Sequence, residues 1–189
     1  RHNVNVLSID ISCSGLDCSL EPFAASEGRR AGRQDRLAMA VRMGLRYVKG
    51  LSAADQAAIV QFRAQRPADD LADLVYRSGL SKKALLALAE AGALECFGAG
   101  RRDTLWQVRG LLRDRQGSLP LMHHERLPSL ATLDDFDTIA WDYRTSEHSP
   151  RGHPLGPLRT SLRAMNLPDA AAVSAMRNGQ RTRYVGAVI

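Results

Sequence analysis

The spacing of apolar residues divides the 189-residue chain into extended and helical stretches. Apolar and polar residues alternate at Val4 and Val6, and alternate again over residues 37–43, so both stretches are predicted to be β-strands. We expect these two strands to pair in an antiparallel sense. From residue 45 to about residue 115 the apolar spacing is three and four, which predicts helices.

Residues 45–52 and 74–81 carry two copies of one segment, Leu-Arg-Tyr-Val-Lys-Gly-Leu-Ser and Leu-Val-Tyr-Arg-Ser-Gly-Leu-Ser. Each copy places a glycine before a leucine and follows the leucine with a serine that can cap a helix, which predicts a hairpin between two helices. The similarity continues into the following helix, where Ala58 and Ile59 correspond to Ala87 and Leu88.

Such hairpins suit phosphate, because turn amides converge there with the positive end of a helix. Ser52 and Asp55 have the spacing of a capping box. In the second copy Lys82 and Lys83 occupy the first helical turn, where cations oppose the helix dipole and a bound phosphate would remove that cost. We predict contacts to nucleic-acid phosphates, without base reading, from Arg46, Lys49, Gly50, Leu51, Ser52, Ser78, Gly79, Leu80, Ser81, Lys82 and Lys83. A single such turn is common in helical proteins that bind nothing, so the prediction depends on the tandem copies.

Charge is consistent with this prediction, since the net charge is +6 and the sequence pI is about 9.7. Basic residues dominate between residues 28 and 50, where Asp35 is the acidic neighbour. No apolar run approaches the roughly 20 residues that cross a bilayer, so no membrane partner is expected. The three cysteines, Cys13, Cys18 and Cys96, have no metal-ligand spacing, and an odd count favours a reducing compartment such as the cytoplasm.

The rest of the chain is predicted to be a helix over residues 103–115, a linker over 116–135, short helices near 134–147 and 156–166, and a strand over 181–189. In the first of these helices Trp106 is expected to lie in the core beside Leu105, Val108 and Leu112. Asp134, Asp135 and Asp137 cluster at a helix start, where acidic residues complement the dipole, so no metal site is predicted. The absent initial methionine and the apolar end indicate a fragment of a longer protein.

Several motifs, in this order along the chain, resemble the C-terminal half of the bacterial C-family DNA polymerases, and most closely the error-prone branch. They are Asp17-Cys18, residues 43–51, Ala91-Gly92-Ala93-Leu94, Leu105-Trp106-Gln107-Val108, Leu119-Pro120-Leu121, Asp142-Tyr143, Arg151-Gly152-His153-Pro154 and Arg183-Tyr184-Val185-Gly186. One departure is Leu16, which stands where the error-prone branch usually has tryptophan.

This resemblance implies a mainly α fold, with a tandem helix-hairpin-helix preceded by a β element and followed by the first strand of an oligonucleotide-binding (OB) β-barrel. The implied domains are residues 1–44 (the end of the fingers, with a β-hairpin and a basic loop), 45–115 (the DNA-binding repeat), 116–180 (the linker) and 181–189 (the start of the barrel). It also implies DNA synthesis past damage, with two Mg²⁺ ions held by aspartates upstream of residue 1. No catalytic residue and no cofactor are expected in this part.

The linker contains a segment that resembles a sliding-clamp-binding peptide, formed by Gln116, Leu119, Pro120, Leu121 and Met122. Leu121 and Met122 would enter an apolar pocket of the clamp while Gln116 bonds at its rim. The sliding clamp and mutagenesis accessory proteins are therefore expected partners, together with primer-template or other double-stranded DNA. The alternative is that these leucines pack against their own protein, and clamp binding is the measurement that separates the two.

Two alternatives to the error-prone assignment stay open. One is the same region of a replicative polymerase alpha subunit, which upstream sequence would distinguish. The other is a non-enzymatic interaction module whose hairpins only pack. Salt-sensitive DNA binding would distinguish this module from both polymerases.

Overall fold

The computed structural model describes residues 4–23, 38–115 and 131–186, and the chain divides into two compact units, residues 1–132 and 133–189. Helices dominate the described ranges and accompany one three-stranded sheet. The predicted mainly α fold with an N-terminal β element is therefore confirmed. None of the helices in these ranges is both long and apolar enough to cross a membrane.

The sheet consists of β1 (Asn5–Leu7), β2 (Ser19–Phe23) and β3 (Ala38–Arg42), in the order β1-β3-β2. β3 pairs antiparallel with β2 and parallel with β1. The predicted antiparallel pairing between the stretch at Val4 and Val6 and residues 37–43 is therefore wrong. Alternation fixes the faces of a strand but not its direction. β2 carries Pro22, which weakens a strand signal but is tolerated on an edge strand such as this one.

Helices of the first unit follow the sheet. A 3₁₀ turn (Leu45–Tyr47) precedes α1 (Ala53–Gln65), which is followed by α2 (Leu71–Arg77) and α3 (Lys82–Glu90). A second 3₁₀ turn (Glu95–Phe97) leads to α4 (Arg101–Arg115). The second copy of the repeat is thus a hairpin between two α-helices, as predicted. In the first copy, the helix expected upstream of the hairpin is only the 3₁₀ turn.

The two copies bury the same positions. Leu45 and Leu74, and likewise Ile59 and Leu88, have no solvent-exposed surface. Burying side chains of this size stabilises the fold by about 1.5–3 kcal/mol each. The repeat in the sequence therefore reflects equivalent positions in one core.

α4 contributes a buried face to the same unit through Leu105, Val108 and Leu112. The prediction that Trp106 lies in the core is wrong, because its side chain is 41% exposed. Residues 105, 108 and 112 are three and four apart and share one face, whereas residue 106 is rotated about 100° from residue 105.

Backbone contacts join the chain before the repeat to the repeat itself. A Cβ on Gly44 would lie 2.5 Å from the carbonyl oxygen of Leu16, so only glycine fits there. The amide of Leu45 donates to the carbonyl of Gly15 at 2.9 Å, and the amide of Arg46 donates to the carbonyl of Leu16 at 3.1 Å. The motifs around residues 17 and 44 are therefore in direct contact.

The second unit contains α5 (Asp135–Ser146), α6 (Arg159–Ala164) and α7 (Ala170–Ser174). The first two confirm the predicted short helices. α7 was not predicted, although Asp169 caps it in the usual manner by accepting from the amide of Ala172 at 2.9 Å. Residues 181–186 form no strand and residues 187–189 lie outside the described residues, so the opening strand of a barrel stays a prediction.

A buried carboxylate joins two of the recognised motifs in this unit. Asp142, on α5, is 3% exposed and accepts hydrogen bonds from Ser149 Oγ at 2.7 Å and Arg151 Nη1 at 3.1 Å. Because an unpaired buried charge is costly, these bonds fix the loop that follows α5.

Candidate nucleic-acid interface

The first hairpin turns at Gly50, whose φ of +86° favours glycine. The amide of Leu51 donates to the carbonyl of Val48 at 3.3 Å and closes the turn. Ser52 then caps α1. Its hydroxyl accepts from the amide of Asp55, and the Asp55 carboxylate accepts from the amide of Ser52, both at 3.1 Å. The predicted capping box is confirmed.

The second hairpin turns at Gly79, where φ is +68°. The hydroxyl of buried Ser78 accepts from the amide of Leu80 at 3.3 Å, and Ser81 caps α3 by accepting from the amide of Ala84 at 3.1 Å. Arg115 supports this hairpin from α4, since its Nη1 donates to the carbonyl of Leu80 at 3.2 Å. The first turn of α3 contains Lys82 and Lys83 and no acidic residue.

These bonds divide the predicted amide donors into two groups. The amides of Leu51 and Leu80 already donate within the hairpins. Amides in the first turn of a helix have no intrahelical acceptor, and in α3 that turn includes Lys82 and Lys83. Of the predicted hairpin amides, those of Leu51 and Leu80 are therefore already engaged, whereas the first turn of α3 offers further donors.

Lysines from both hairpins line one groove of about 540 Å³. Lys49 and Gly50 come from the first hairpin, and Lys82 and Lys83 come from the second. The contact between the hairpins is close, because a Cβ on Gly50 would lie 3.6 Å from Cε of Lys83. The groove is completed by Leu86, Ala87 and Glu90 of α3. The three ammonium groups outnumber the single carboxylate of Glu90 and lie beside the N-terminus of a helix, so the groove has a positive potential.

Asp55 links the two hairpins. Its carboxylate accepts from Ser52 Oγ at 2.5 Å and from Ser81 Oγ, the cap of the other hairpin, at 3.4 Å. The hydrogen bond from Ser52 is the main reason that the pKa of Asp55 is below its usual value, and the bond from Ser81 lowers it further. Sequence reasoning identified the local box but missed this bridge, which depends on tertiary packing.

Arg46 precedes the first hairpin in the chain and forms an ion pair with Asp17 at 3.0 Å. Both side chains are about two-thirds exposed, so the pair contributes little stability. Tyr47 and Tyr76 occupy equivalent positions before the two hairpins and are 45% and 50% exposed. Sequence reasoning used these tyrosines only to align the copies, although their matching positions could have indicated an exposed aromatic pair.

Other predicted residues lie elsewhere. Every residue of the clamp-like peptide, Gln116 and Leu119–Met122, falls outside the described residues. Asp134 caps α5 by accepting from the amide of Asp137 at 2.7 Å, as expected for acidic residues at a helix start. Within the described ranges no three His, Cys, Asp or Glu side chains are grouped so that they could hold a metal ion.

Two hairpins in tandem, each with a left-handed glycine before a serine-capped helix, define the helix-hairpin-helix class of proteins. The model of the helix-hairpin-helix motif family matches residues 3–104, and the chain belongs to this family.

Relatives of the whole chain are error-prone DNA polymerases, which confirms the resemblance to that branch. The polymerase of Burkholderia pseudomallei is 37% identical and that of Bordetella parapertussis is 36% identical, each over 100% of this chain and 17% of the relative. The polymerase of Anaeromyxobacter sp. (strain K) is 33% identical over 100% of this chain and 16% of the relative. The chain thus spans about a sixth of the length of these relatives.

Proposed function

We propose that this chain is the region of an error-prone DNA polymerase that holds duplex DNA by its phosphates. The observation that carries the proposal is the groove that Lys49 of one hairpin lines together with Lys82 and Lys83 of the other. The relatives support the polymerase assignment by their names. The whole protein would act in translesion synthesis in the bacterial cytoplasm.

The grip is electrostatic. Two lysines in the first turn of α3 destabilise a free helix, because like charges meet at the positive end of the dipole. A phosphate in the groove reverses that cost and accepts hydrogen bonds from the amides of the same turn. Because every nucleotide offers the same phosphate, this contact holds DNA without selecting a sequence.

DNA synthesis itself is assigned to other parts of the polymerase. Mg²⁺ would supply charge stabilisation to nucleotide transfer there. Asp134 and Asp55 have other roles, since Asp134 caps a helix and Asp55 joins two serines. No residue of this chain is proposed to act on the reacting atoms.

The proposal is tested by titrating the chain onto unrelated duplexes in fluorescence anisotropy at about 50 and about 200 mM salt. We expect micromolar affinity that is similar for all sequences and falls with salt. Lys82→Glu combined with Lys83→Glu should lower the logarithmic salt slope by about 1.8, since each lost contact contributes about 0.9. The same variant should raise the stability of the free chain by about 0.3–1 kcal/mol per site.

The matched control is Arg109→Glu with Arg113→Glu, which changes the net charge equally on an exposed face of α4 that does not line the groove. This control should keep a salt slope close to that of the unaltered chain. An unchanged slope in the lysine variant, or no duplex binding at low salt, would show that the hairpins are only structural.

A further inference from the structure

One face of the small sheet carries apolar side chains throughout. Successive residues of a strand point to opposite faces, and residues that are opposite each other on paired strands share a face. In the observed pairing Leu20 is opposite Val41, and Val41 is opposite Val6. The face to which these residues belong contains no polar residue within the described strands. Its members are Val6, Leu20, Pro22, Met39 and Val41, together with Val4 just before β1.

This apolar face is open to water. Leu20 is 67% exposed, Val4 is 57% exposed and Met39 is 46% exposed. Single exposed apolar side chains are common on proteins, but a contiguous group of them on one sheet is not. Such a group marks a surface that another element covers.

The opposite face of the sheet is the covered one, although it carries charge. Ala40 has no exposed surface. Arg42 forms an ion pair with Glu21 at 3.0 Å and donates through Nη1 to the carbonyl of Ser8 at 2.9 Å. A sheet with one face in water normally places its apolar side chains on the core side and its polar side chains outside. Because the ion pair lies on the covered side here, burial of the apolar face requires a further element.

The dimensions of the apolar face select the kind of element that covers it. The two outer strands lie about 10 Å apart, at about 4.8 Å for each strand spacing. An α-helix with its side chains is about 10–12 Å across, so a single amphipathic helix laid along the strands covers the face. Three strands of up to five residues present roughly 250 Å², whereas each partner of a stable complex buries about 800 Å². The face is therefore too small for a second copy of the chain or a separate protein, and it suits an element that is joined to it covalently.

The relatives contain such additional chain, because this region is about a sixth of their length. Covalent attachment gives an effective concentration of about a millimolar, so a small interface is sufficient. We propose that an amphipathic helix of the polymerase chain outside residues 1–189 packs on the apolar face formed by β1, β2 and β3. The proposal rests on the assignment to a polymerase, but not on duplex binding by the lysine groove.

The test compares methionine oxidation in this chain and in the full-length polymerase that contains it, by hydroxyl-radical footprinting with mass spectrometry. Met39 should be oxidised about tenfold more slowly in the full-length protein, because oxidation follows exposure. Met43, which is buried and directly follows β3, is the internal reference and should be oxidised slowly in both proteins. Equal oxidation rates of Met39 in the two proteins would overturn the proposal. So would slow oxidation of Met39 in the 189-residue chain that depends on its concentration, which would identify a second copy as the occupant.

A charged variant tests whether the helix is held by apolar contact. Leu20→Glu should restore fast oxidation of Met39 in the full-length protein, because a buried and unpaired carboxylate is costly. Val60→Glu places the same charge on an exposed position of α1 and should leave Met39 slow. Slow oxidation of Met39 in both variants would contradict the proposal. The Leu20→Glu chain should bind duplex DNA as the unaltered chain does, so failure of the duplex grip and failure of this interface give different results.

A photo-reactive benzoylphenylalanine in place of Leu20 identifies the occupant in the full-length protein. Its cross-links should fall outside residues 1–189, on positions three or four apart, as expected for one face of a helix. Cross-links confined to residues 1–189 would overturn the proposal.

Discussion

The two hairpins of the repeat share a sequence pattern but differ in the charged residues of the helical turn that follows each of them. In the first hairpin Asp55 stands in the opening turn of α1 and completes a reciprocal capping box. In the second, lysines fill the opening turn of α3 and no acidic residue accompanies them. A Cβ on Gly50 would touch the neighbouring hairpin, whereas a Cβ on Gly79 would meet nothing within 4 Å.

This difference indicates how each copy would contribute to the proposed phosphate site. The first hairpin has a carboxylate in its opening helical turn and contributes Lys49 and Gly50 to the groove from the hairpin itself. The second has two lysines in its opening helical turn, where a bound phosphate would relieve their repulsion with the helix dipole. A duplicated motif has therefore kept its buried positions, Leu45 with Leu74 and Ile59 with Leu88, while its surface has diverged.

The largest effect is expected from Gly44→Ala, which tests whether the first hairpin depends on its contact with residues 16 and 17. The new Cβ would lie 2.5 Å from backbone atoms of Leu16 and Asp17, which cannot move without shifting the chain. We expect a loss of about 3 kcal/mol in the free energy of unfolding, measured in urea. Gly110→Ala is the control, because its Cβ meets nothing and alanine favours a helix by about 0.8–1 kcal/mol. Equal stability of the two variants would contradict the close contact.

A smaller effect should distinguish the two caps. Ser81→Ala removes the cap of α3 and only a long hydrogen bond of 3.4 Å to Asp55, so it should cost about 1 kcal/mol. Ser52→Ala removes a cap and also a donor to Asp55, so it should cost about 1.5–2 kcal/mol. Ser52→Asn and Ser81→Asn retain a capping acceptor and should stay close to the unaltered chain in urea unfolding. Equal losses in the two alanine variants would show that the short bond from the Ser52 hydroxyl to Asp55 adds no stability.

The smallest effect concerns acid sensitivity upstream of the second hairpin, where the first copy has no counterpart. The hydrogen bond from Arg77 is the main cause that lowers the pKa of Asp73 to about 2. Because the folded pKa lies below the ordinary value of 3.8, this contribution is present above pH 3.8 and is lost as the pH falls towards 2. Asp73→Asn should therefore reduce the fall in the urea midpoint of unfolding between pH 3.8 and about pH 2. An unchanged fall in the Asp73→Asn variant would contradict this account.

Local chemistry could be predicted from the sequence where it depends on neighbours in the chain. Ser52, Ser81 and Asp134 cap helices as expected, because capping needs only the next three residues. The direction of β1 could not be predicted, because alternation is the same in parallel and antiparallel strands. The exposure of Trp106 could not be predicted from its residue type, which favours burial, because its position on α4 lies off the buried face.

The candidate site was predictable only in its parts. Spacing placed Lys49, Lys82 and Lys83 beside hairpins, but no sequence pattern states that the hairpins meet in one groove. That fact depends on the packing of α3 beside Gly50 and on the bond from Ser81 to Asp55. Residues far apart in sequence come together because their elements pack on one core, and that packing depends on all of the core side chains at once.

The backbone bonds around Gly44 have a consequence for any attempt to transplant the repeat. The amides of Leu45 and Arg46 donate to carbonyls of residues 15 and 16, and Arg63 of α1 donates to the carbonyl of Ser14 at 2.8 Å. A fragment that begins at residue 45 would lack these partners and would expose Leu45, which is buried in the chain, to water. The hairpins therefore depend on the residues that precede them, and a chimaera that contains the hairpins should include the chain from β1 onwards.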